Sequence, residues 1–189
     1  MQILKTHDLE EAARFADRCL TDGHEGLDLL LNLSSFIQTG ELAMYDNKAV
    51  EDANISVIWK AKHLGGTIVS FAGDFNLCLI TWGDRYPTFG IDCINIVAEM
   101  LSDRGVTTEL DNNDLIANGK KVASWAKATL ISGYVQTVAH FSINVDVDLV
   151  KQICVKPMLK VPGSLGIYGI DAEMICEKVL DLLKVEERN

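Results

Sequence analysis

Two long runs of strand-forming residues, 122–132 and 134–147, stand on either side of a single glycine, Gly133. Backbone N–H and C=O groups over such lengths need partners on both flanks, so the chain must build a sheet around this pair. Elsewhere the hydrophobic period changes from two to 3.6. Asp8 precedes an apolar stripe of Leu9, Ala12, Ala13, Ala16, Cys19 and Leu20, with Glu11 placed for a capping box, and the glycines of 22–26 end that helix. Cys93, Ile94, Val97, Met100 and Leu101 recur at helical spacing between Gly90 and Gly105. Asp171 caps a last helix whose inner face carries Met174, Ile175, Val179, Leu182 and Leu183.

The remaining segments read mostly as strands. Residues 27–33 form a short apolar run of the kind buried on both faces. Residues 54–62 are rich in β-branched types, and 65–71 and 75–82 flank Ala72-Gly73-Asp74, predicting a hairpin. Short strands are expected at 107–110 and 114–117, joined to the long pair through an Asn118-Gly119 turn. Residues 34–54 and 156–170 read as irregular, and 148–154 as a short helix. No linker divides the sequence, which predicts one α+β domain over 1–189, its mixed and antiparallel sheets flanked by helices.

Charge and cysteine usage narrow the function classes. Seventeen Lys and Arg against 27 Asp and Glu give a net charge of −10, unsuited to general nucleic-acid binding or docking on anionic lipid. No run of eighteen apolar residues is present, and the N-terminal segment lacks the apolar core of a signal peptide. Cys19, Cys78, Cys93, Cys154 and Cys176 form no CxxC pair, so the expectation is buried reduced thiols, no metal and a cytoplasmic protein.

Three places carry chemistry. His63-Leu64-Gly65-Gly66-Thr67 enters a strand with paired glycines, which either let backbone N–H groups approach a ligand or simply bend the strand. Lys120 and Lys121 open the strand after the Asn-Gly turn, where neighbouring side chains point to opposite faces. One lysine should therefore look inward, toward an anion or a polarised carbonyl, unless both amines sit in water at the hairpin tip. His140 shares a strand face with Val138 and Ser142 and is a candidate either for catalysis or for the core.

In combination these segments resemble the biotin and lipoate protein ligase superfamily, and especially its octanoyltransferase branch, over roughly residues 27–183. Phe36-Ile37-Gln38-Thr39-Gly40 is similar to the family's segment after its first strand, and His63-Leu64-Gly65-Gly66-Thr67-Ile68 stands at its Arg-Gly-Gly motif. Asn118-Gly119-Lys120-Lys121-Val122-Ala123-Ser124 resembles the catalytic-lysine motif, with Lys121 at the lysine, and Ile143-Asn144-Val145-Asp146-Val147-Asp148-Leu149 resembles the strand that ends in Asn-Val-x-x-Asp-Leu. The resemblance implies the class II aminoacyl-tRNA synthetase and biotin synthetase-like fold. It also implies an acyl pocket lined by Gly65, Gly66, Thr67, Ile68 and Ser124, with Lys121 and His140 as catalytic groups and no cofactor.

Departures from the pattern bear on mechanism. Leu64 occupies the arginine position, Phe71-Ala72-Gly73 replaces a His-Gly pair, and Met158 after Pro157 stands where the family has its nucleophilic cysteine. A thioether cannot form a thioester, and Cys154 lies four residues earlier. His140 falls at the spacing seen in the ATP-using ligases, whose triple-glycine motif and additional C-terminal domain have no counterpart in the sequence. The expected activity is transfer of an octanoyl or lipoyl-type group to a lysine of a carrier domain, by direct attack of that lysine. The alternatives are an acyl-binding relative without turnover, a scaffold or partner-binding module, and a lipoate-ligase-like adenylating enzyme. The donor is an acyl carrier protein or small-molecule octanoate or lipoate, and the acceptor a lipoyl domain. Lys120, Lys121, Lys127, Lys151, Lys156 and Lys160 offer a docking patch for such acidic partners if they share one face.

Overall fold

The computed structural model describes residues 1–39, 45–59, 68–130, 132–155 and 158–186. In chain order the elements are β1 (Gln2–Thr6), α1 (Leu9–Asp22), β2 (Gly26–Leu31), β3 (Phe36–Thr39), α2 (Asn47–Asp52), β4 (Ser56–Trp59), β5 (Ile68–Ser70) and β6 (Phe75–Trp82). There follow α3 (Phe89–Ser102), β7 (Thr108–Asp111), β8 (Asp114–Ala117), β9 (Lys120–Thr129), β10 (Tyr134–Phe141), α4 (Val147–Ile153), a 3₁₀ turn (Leu165–Tyr168) and α5 (Ala172–Glu186).

A seven-stranded sheet runs β1-β2-β6-β10-β9-β8-β7, and a three-stranded sheet runs β4-β3-β5. In the large sheet only β1 and β2 are parallel, joined through α1; every other neighbour is antiparallel. The expected α+β architecture of mixed sheets flanked by helices is therefore the one observed.

Each face of the large sheet has its own cover. Leu27, Leu29, Leu31, Phe75, Leu77, Leu79, Ala139 and Phe141 face α3 and α5, which present Phe89, Cys93, Ile94, Val97, Leu101, Ile175, Val179 and Leu183. Each large apolar side chain withdrawn from water there contributes roughly 1.5–3 kcal/mol. On the opposite face, Phe15, Ala16 and Cys19 of α1 cover Cys78, Ile80 and Tyr134. The small sheet, α2 and α4 close around Ile37, Val50, Ile55 and Ile153, with Val69 and Leu149 packed against them.

Four sequence expectations are corrected. Segments 65–71 and 75–82 do not form a hairpin: β5 pairs with β3 in the small sheet, whereas β6 lies between β2 and β10 in the large one. The intervening turn hands the chain from one sheet to the other. The irregular reading of 34–54 overlooks β3 and α2, which Asp46 caps by accepting from the Ala49 N–H. Strand β10 stops at Phe141 rather than at 147, because Asp46-like capping recurs at Asp146, whose carboxylate accepts from the N–H groups of Asp148 and Leu149 and starts α4. Strand β1, which had no counterpart among the expected elements, is exposed except at its end.

Gly90 marks a tight helix-to-sheet contact. A Cβ there would lie 2.3 Å from Trp125 Cε3, so α3 rests directly on the indole of β9. We expect Gly90→Ala to destabilise the fold by about 1–3 kcal/mol through overpacking, read as a lowered midpoint in thermal or urea unfolding. A midpoint equal to that of the parent protein would show that the indole moves aside freely.

Candidate active site

One face of the large sheet carries a polar row in an otherwise apolar layer. Asn76 of β6 pairs with His140 of β10, His140 with Ser124 of β9, and Ser124 with Asp114 of β8. Residues directly opposite across a sheet share a face, so four strands line up these side chains.

Lys121 joins the row through an irregularity. It lies three residues from Ser124, and simple alternation would send the two to opposite faces. The β8–β9 register shifts between Leu115 and Ile116, where Ala123 opposes Leu115 but Lys121 opposes Ile116, leaving Val122 as an inserted residue. The bulge restores a common face. Its backbone is fixed on the far side as well, since Lys121 N–H donates to Val161 O at 2.8 Å and Gly163 N–H donates to Lys121 O at 2.8 Å. The Asn118-Gly119 turn that leads in has positive φ at both residues, 48° and 75°, as the sequence predicts. Lys120 is exposed and Lys121 half-buried, so the inward lysine is Lys121.

Lys121, Asp114, Ser124 and His140 line a cavity of about 520 Å³, within the range of roughly 300–1,000 Å³ of small-molecule sites. Lys121, Asp114, Ser124, His140 and Ser142 supply its polar wall, and Val69, Phe71, Val145, Val150 and Met158 most of its apolar one. An open groove lined by Ser35, Ala72, Asn144 and Ile167 adjoins it, with Phe71 and Val145 lining both.

The Lys121 ammonium lies 2.8 Å from Asp114 Oδ1, and Lys160 lies 2.7 Å from Asp114 Oδ2. Burial alone would raise the Asp114 carboxyl, but the two lysines outweigh it and hold the group below its ordinary range. An ammonium has three donors. One is used on Asp114, which positions the amine and leaves the others for an incoming oxygen.

His140 is held from two sides. Asn76 Nδ2 donates to Ser70 Oγ at 3.1 Å and to Asn32 Oδ1 at 3.4 Å. Asn76 Oδ1 therefore accepts, at 2.8 Å, from His140 Nδ1, which assigns the proton to Nδ1. Nε2 is left with its lone pair, 3.1 Å from Ser142 Oγ. Burial pushes the imidazole down to about 4, with the Lys121 charge acting in the same direction, so the ring is neutral at pH 7.

Beneath the histidine lies Asp74, fully buried, with Oδ2 at 3.8 Å from His140 Nε2. Its carboxylate accepts from the N–H groups of Phe71 at 2.8 Å, Ile143 at 2.6 Å and Asn144 at 3.1 Å, clamping the β5–β6 turn onto the chain leaving β10. Burial raises this carboxyl to about 6 against those hydrogen bonds.

Of the residues singled out in the sequence, the sheet brings Lys121, His140 and Ser124 to one cavity. Gly65, Gly66 and Thr67 lie outside the described residues, as do Lys156 and Pro157; Ile68 opens β5. Asp114, Asn76, Asp74 and Ser142 went unrecognised. A polar Asn76 within the apolar run of β6 was the one available signal for that residue. Four cysteines are buried and Cys154 is half-buried on the cavity wall, where burial raises its thiol. Lys127 binds Asp84 at 2.8 Å and lies on the sheet face opposite Ser124, apart from the Lys121–Asp114–Lys160 cluster, and Lys151 binds Asp148 at 3.0 Å. No group of three or more His, Cys, Asp or Glu among the described residues is placed to hold a metal ion, and no described helix is long and apolar enough to cross a membrane.

No protein-family model and no curated protein sequence matches the chain. Solved structures do. A bipartite lipoate protein ligase, described with its E2 lipoyl domain from Thermoplasma acidophilum, aligns with TM-score 0.73 and 13% identity over 99% of this chain and 83% of that one. Lipoate-protein ligase A bound with ATP aligns with TM-score 0.73 and 14% identity over 99% and 84%. Plasmodium falciparum LipL1 in complex with lipoate aligns with TM-score 0.74 and 12% identity over 99% of this chain and 62% of that one. The chain has the fold of the lipoate-protein ligases.

Proposed function

We propose that this protein transfers a medium-length acyl group, of octanoyl or lipoyl type, to a lysine amine of a carrier domain. Lys121 stabilises the negative charge that develops on the acyl carbonyl oxygen. The observation that carries this reading is the Lys121 ammonium, oriented by Asp114 and set at the polar wall of a cavity whose other wall is apolar. A fixed cation there acts where charge appears in the transition state. Val69, Phe71, Val145 and Val150 suit an alkyl chain. Solved neighbours bound to lipoate or ATP, or described with a lipoyl domain, support both the acyl class and the acceptor.

A second reading keeps the ligand and removes turnover. Met158, on the cavity wall, offers a thioether in place of a thiol nucleophile. The net charge of −10 also weakens the case for an acidic carrier-protein donor, which favours a small-molecule donor or binding alone.

Intact-mass analysis of an apo lipoyl domain incubated with this protein separates the readings. One arm supplies octanoyl carrier protein, another octanoate with ATP and magnesium, each with a Lys121→Ala control. A gain of one octanoyl unit that requires Lys121 is expected, and the productive donor distinguishes transferase from adenylating chemistry. If neither donor produces a gain while octanoate still binds, the non-catalytic reading takes its place.

A further inference from the structure

We propose that Ser142 is the acyl-accepting nucleophile of this cavity, activated by His140, so that transfer passes through a seryl ester. This rests on the acyl-transfer reading above and replaces direct attack by the acceptor lysine with two steps. The geometry is that of a hydroxyl, a base and an orienting group. Ser142 Oγ lies 3.1 Å from His140 Nε2, and His140 Nδ1 lies 2.8 Å from Asn76 Oδ1, within the reach expected of a nucleophile, its base and the group that orients the base. The tautomer is the required one, because the amide orientation of Asn76 is fixed by its donations to Ser70 and Asn32. The lone pair of Nε2 therefore faces the hydroxyl.

The placement is equally specific. Ser142 and His140 both line the Lys121 cavity, with Ser142 itself nearly withdrawn from bulk water. Ser142 N–H donates to Val122 O at 2.9 Å, and its carbonyl accepts from Leu165 N–H at 2.8 Å. The nucleophile is thus tied to the β9 bulge that turns Lys121 inward. Cys154 lines the same cavity, but burial holds its thiol in the protonated form and no hydrogen bond to a base is seen among the described contacts.

The chemistry balances with an acyl thioester as donor. Ser142 Oγ bonds to the carbonyl carbon as its proton passes to His140 Nε2, and Lys121 faces the resulting oxyanion. The C–S bond breaks, and the leaving thiolate takes the proton from His140. The acceptor amine then attacks the ester, giving a proton to His140. The C–O bond breaks, and the Ser142 oxygen recovers that proton. The net reaction converts thioester and amine to amide and thiol.

The test uses octanoyl-coenzyme A as probe, with acid quenching, intact mass and peptide mapping. Wild-type protein is expected to gain one octanoyl unit on Ser142, stable to neutral hydroxylamine and released by alkaline hydroxylamine, as an oxygen ester is. Ser142→Ala should lower the adduct at least tenfold, Cys154→Ala should retain it, and Ser142→Cys should make it labile to neutral hydroxylamine. An adduct that survives Ser142→Ala, or octanoyl transfer undiminished in that variant, overturns the proposal. Calorimetric titration of octanoate into the same preparation separates the two levels. Binding without an adduct removes the Ser142 step alone, whereas neither binding nor adduct removes the acyl-transfer reading with it.

Discussion

Replacing Lys121 by alanine is expected to reduce acyl transfer about 100- to 1,000-fold, the usual cost of deleting one preorganised oxyanion donor. The loss should fall chiefly on kcat, because the charge on the acyl oxygen is greatest in the transition state. Asp114 remains paired with Lys160 in the variant, so the substitution does not strand a buried carboxylate, and unfolding midpoints should change little. Lys121→Arg should not restore the rate: the guanidinium is longer and planar and would have to leave the Asp114 contact that positions the amine. Steady-state kinetics with an apo lipoyl domain as acceptor provide the check. A fall in apparent affinity alone, with kcat preserved, would make Lys121 a binding residue only.

The second large effect concerns the buried Asp74–His140 neighbourhood and has opposite signs for its two members. The Asp74 carboxyl, at about 6 in the fold against an ordinary 3.8, is better tolerated protonated. Its contribution to stability is therefore present at low pH and is lost as pH rises from about 4 to about 6. His140, at about 4 against an ordinary 6.5, is better tolerated neutral. Its contribution is present above about 6.5 and is lost as pH falls toward 4. Each shift is worth about 3 kcal/mol, and over the shared window the two nearly offset.

Single substitutions uncover the hidden terms. Relative to the parent protein, His140→Asn should become more stable by up to about 3 kcal/mol as pH falls from 6.5 to 4. Asp74→Asn should become less stable by a similar amount over roughly the same range. Asp74→Asn also carries a penalty at every pH, since an amide presents one acceptor oxygen to the three N–H groups of Phe71, Ile143 and Asn144. Urea unfolding at several pH values tests the slopes independently of that offset. Parallel pH profiles for both variants and the parent would mean that neither group is held away from its ordinary protonation equilibrium.

Much of the scaffold is written in local patterns. The β9–β10 pair, the Asn118-Gly119 turn and helices α1, α3 and α5 follow from strand alternation, positive-φ turn residues and helical apolar stripes, each a property of a few neighbouring residues. The division of strands between two sheets is not local. Segments β5 and β6 carry the same apolar signal, and what separates them is the buried Asp74, which binds the chain leaving β10 some 69 and 70 residues later. No periodicity encodes that contact.

The site divides along the same line. His140 was legible as a strand residue facing Ser142, and Lys121 as one of the two lysines after the turn, singled out by the resemblance to the catalytic-lysine motif. Asp114 was not, because counting back from the Asn118-Gly119 turn sets it opposite Ala123, and only the inserted Val122 moves it to Ser124. Asn76 matters through register with His140, which becomes readable only after the order of strands is known, whereas Ser142 shares the His140 face by alternation and lacked only a partner to mark it as reactive.

Carbon-13 NMR titration of the protein with carboxyl-labelled octanoate, for the parent and for Lys121→Ala, tests whether Lys121 holds the acyl carboxyl end. Saturable one-to-one binding is expected, with the alkyl chain against Val69, Phe71 and Val150 and the carboxylate on the Lys121 amine, and with a carboxyl signal that loses its bound shift in the variant. Octanoate that fails to bind, or that binds with the same carboxyl shift when Lys121 is gone, would contradict that role.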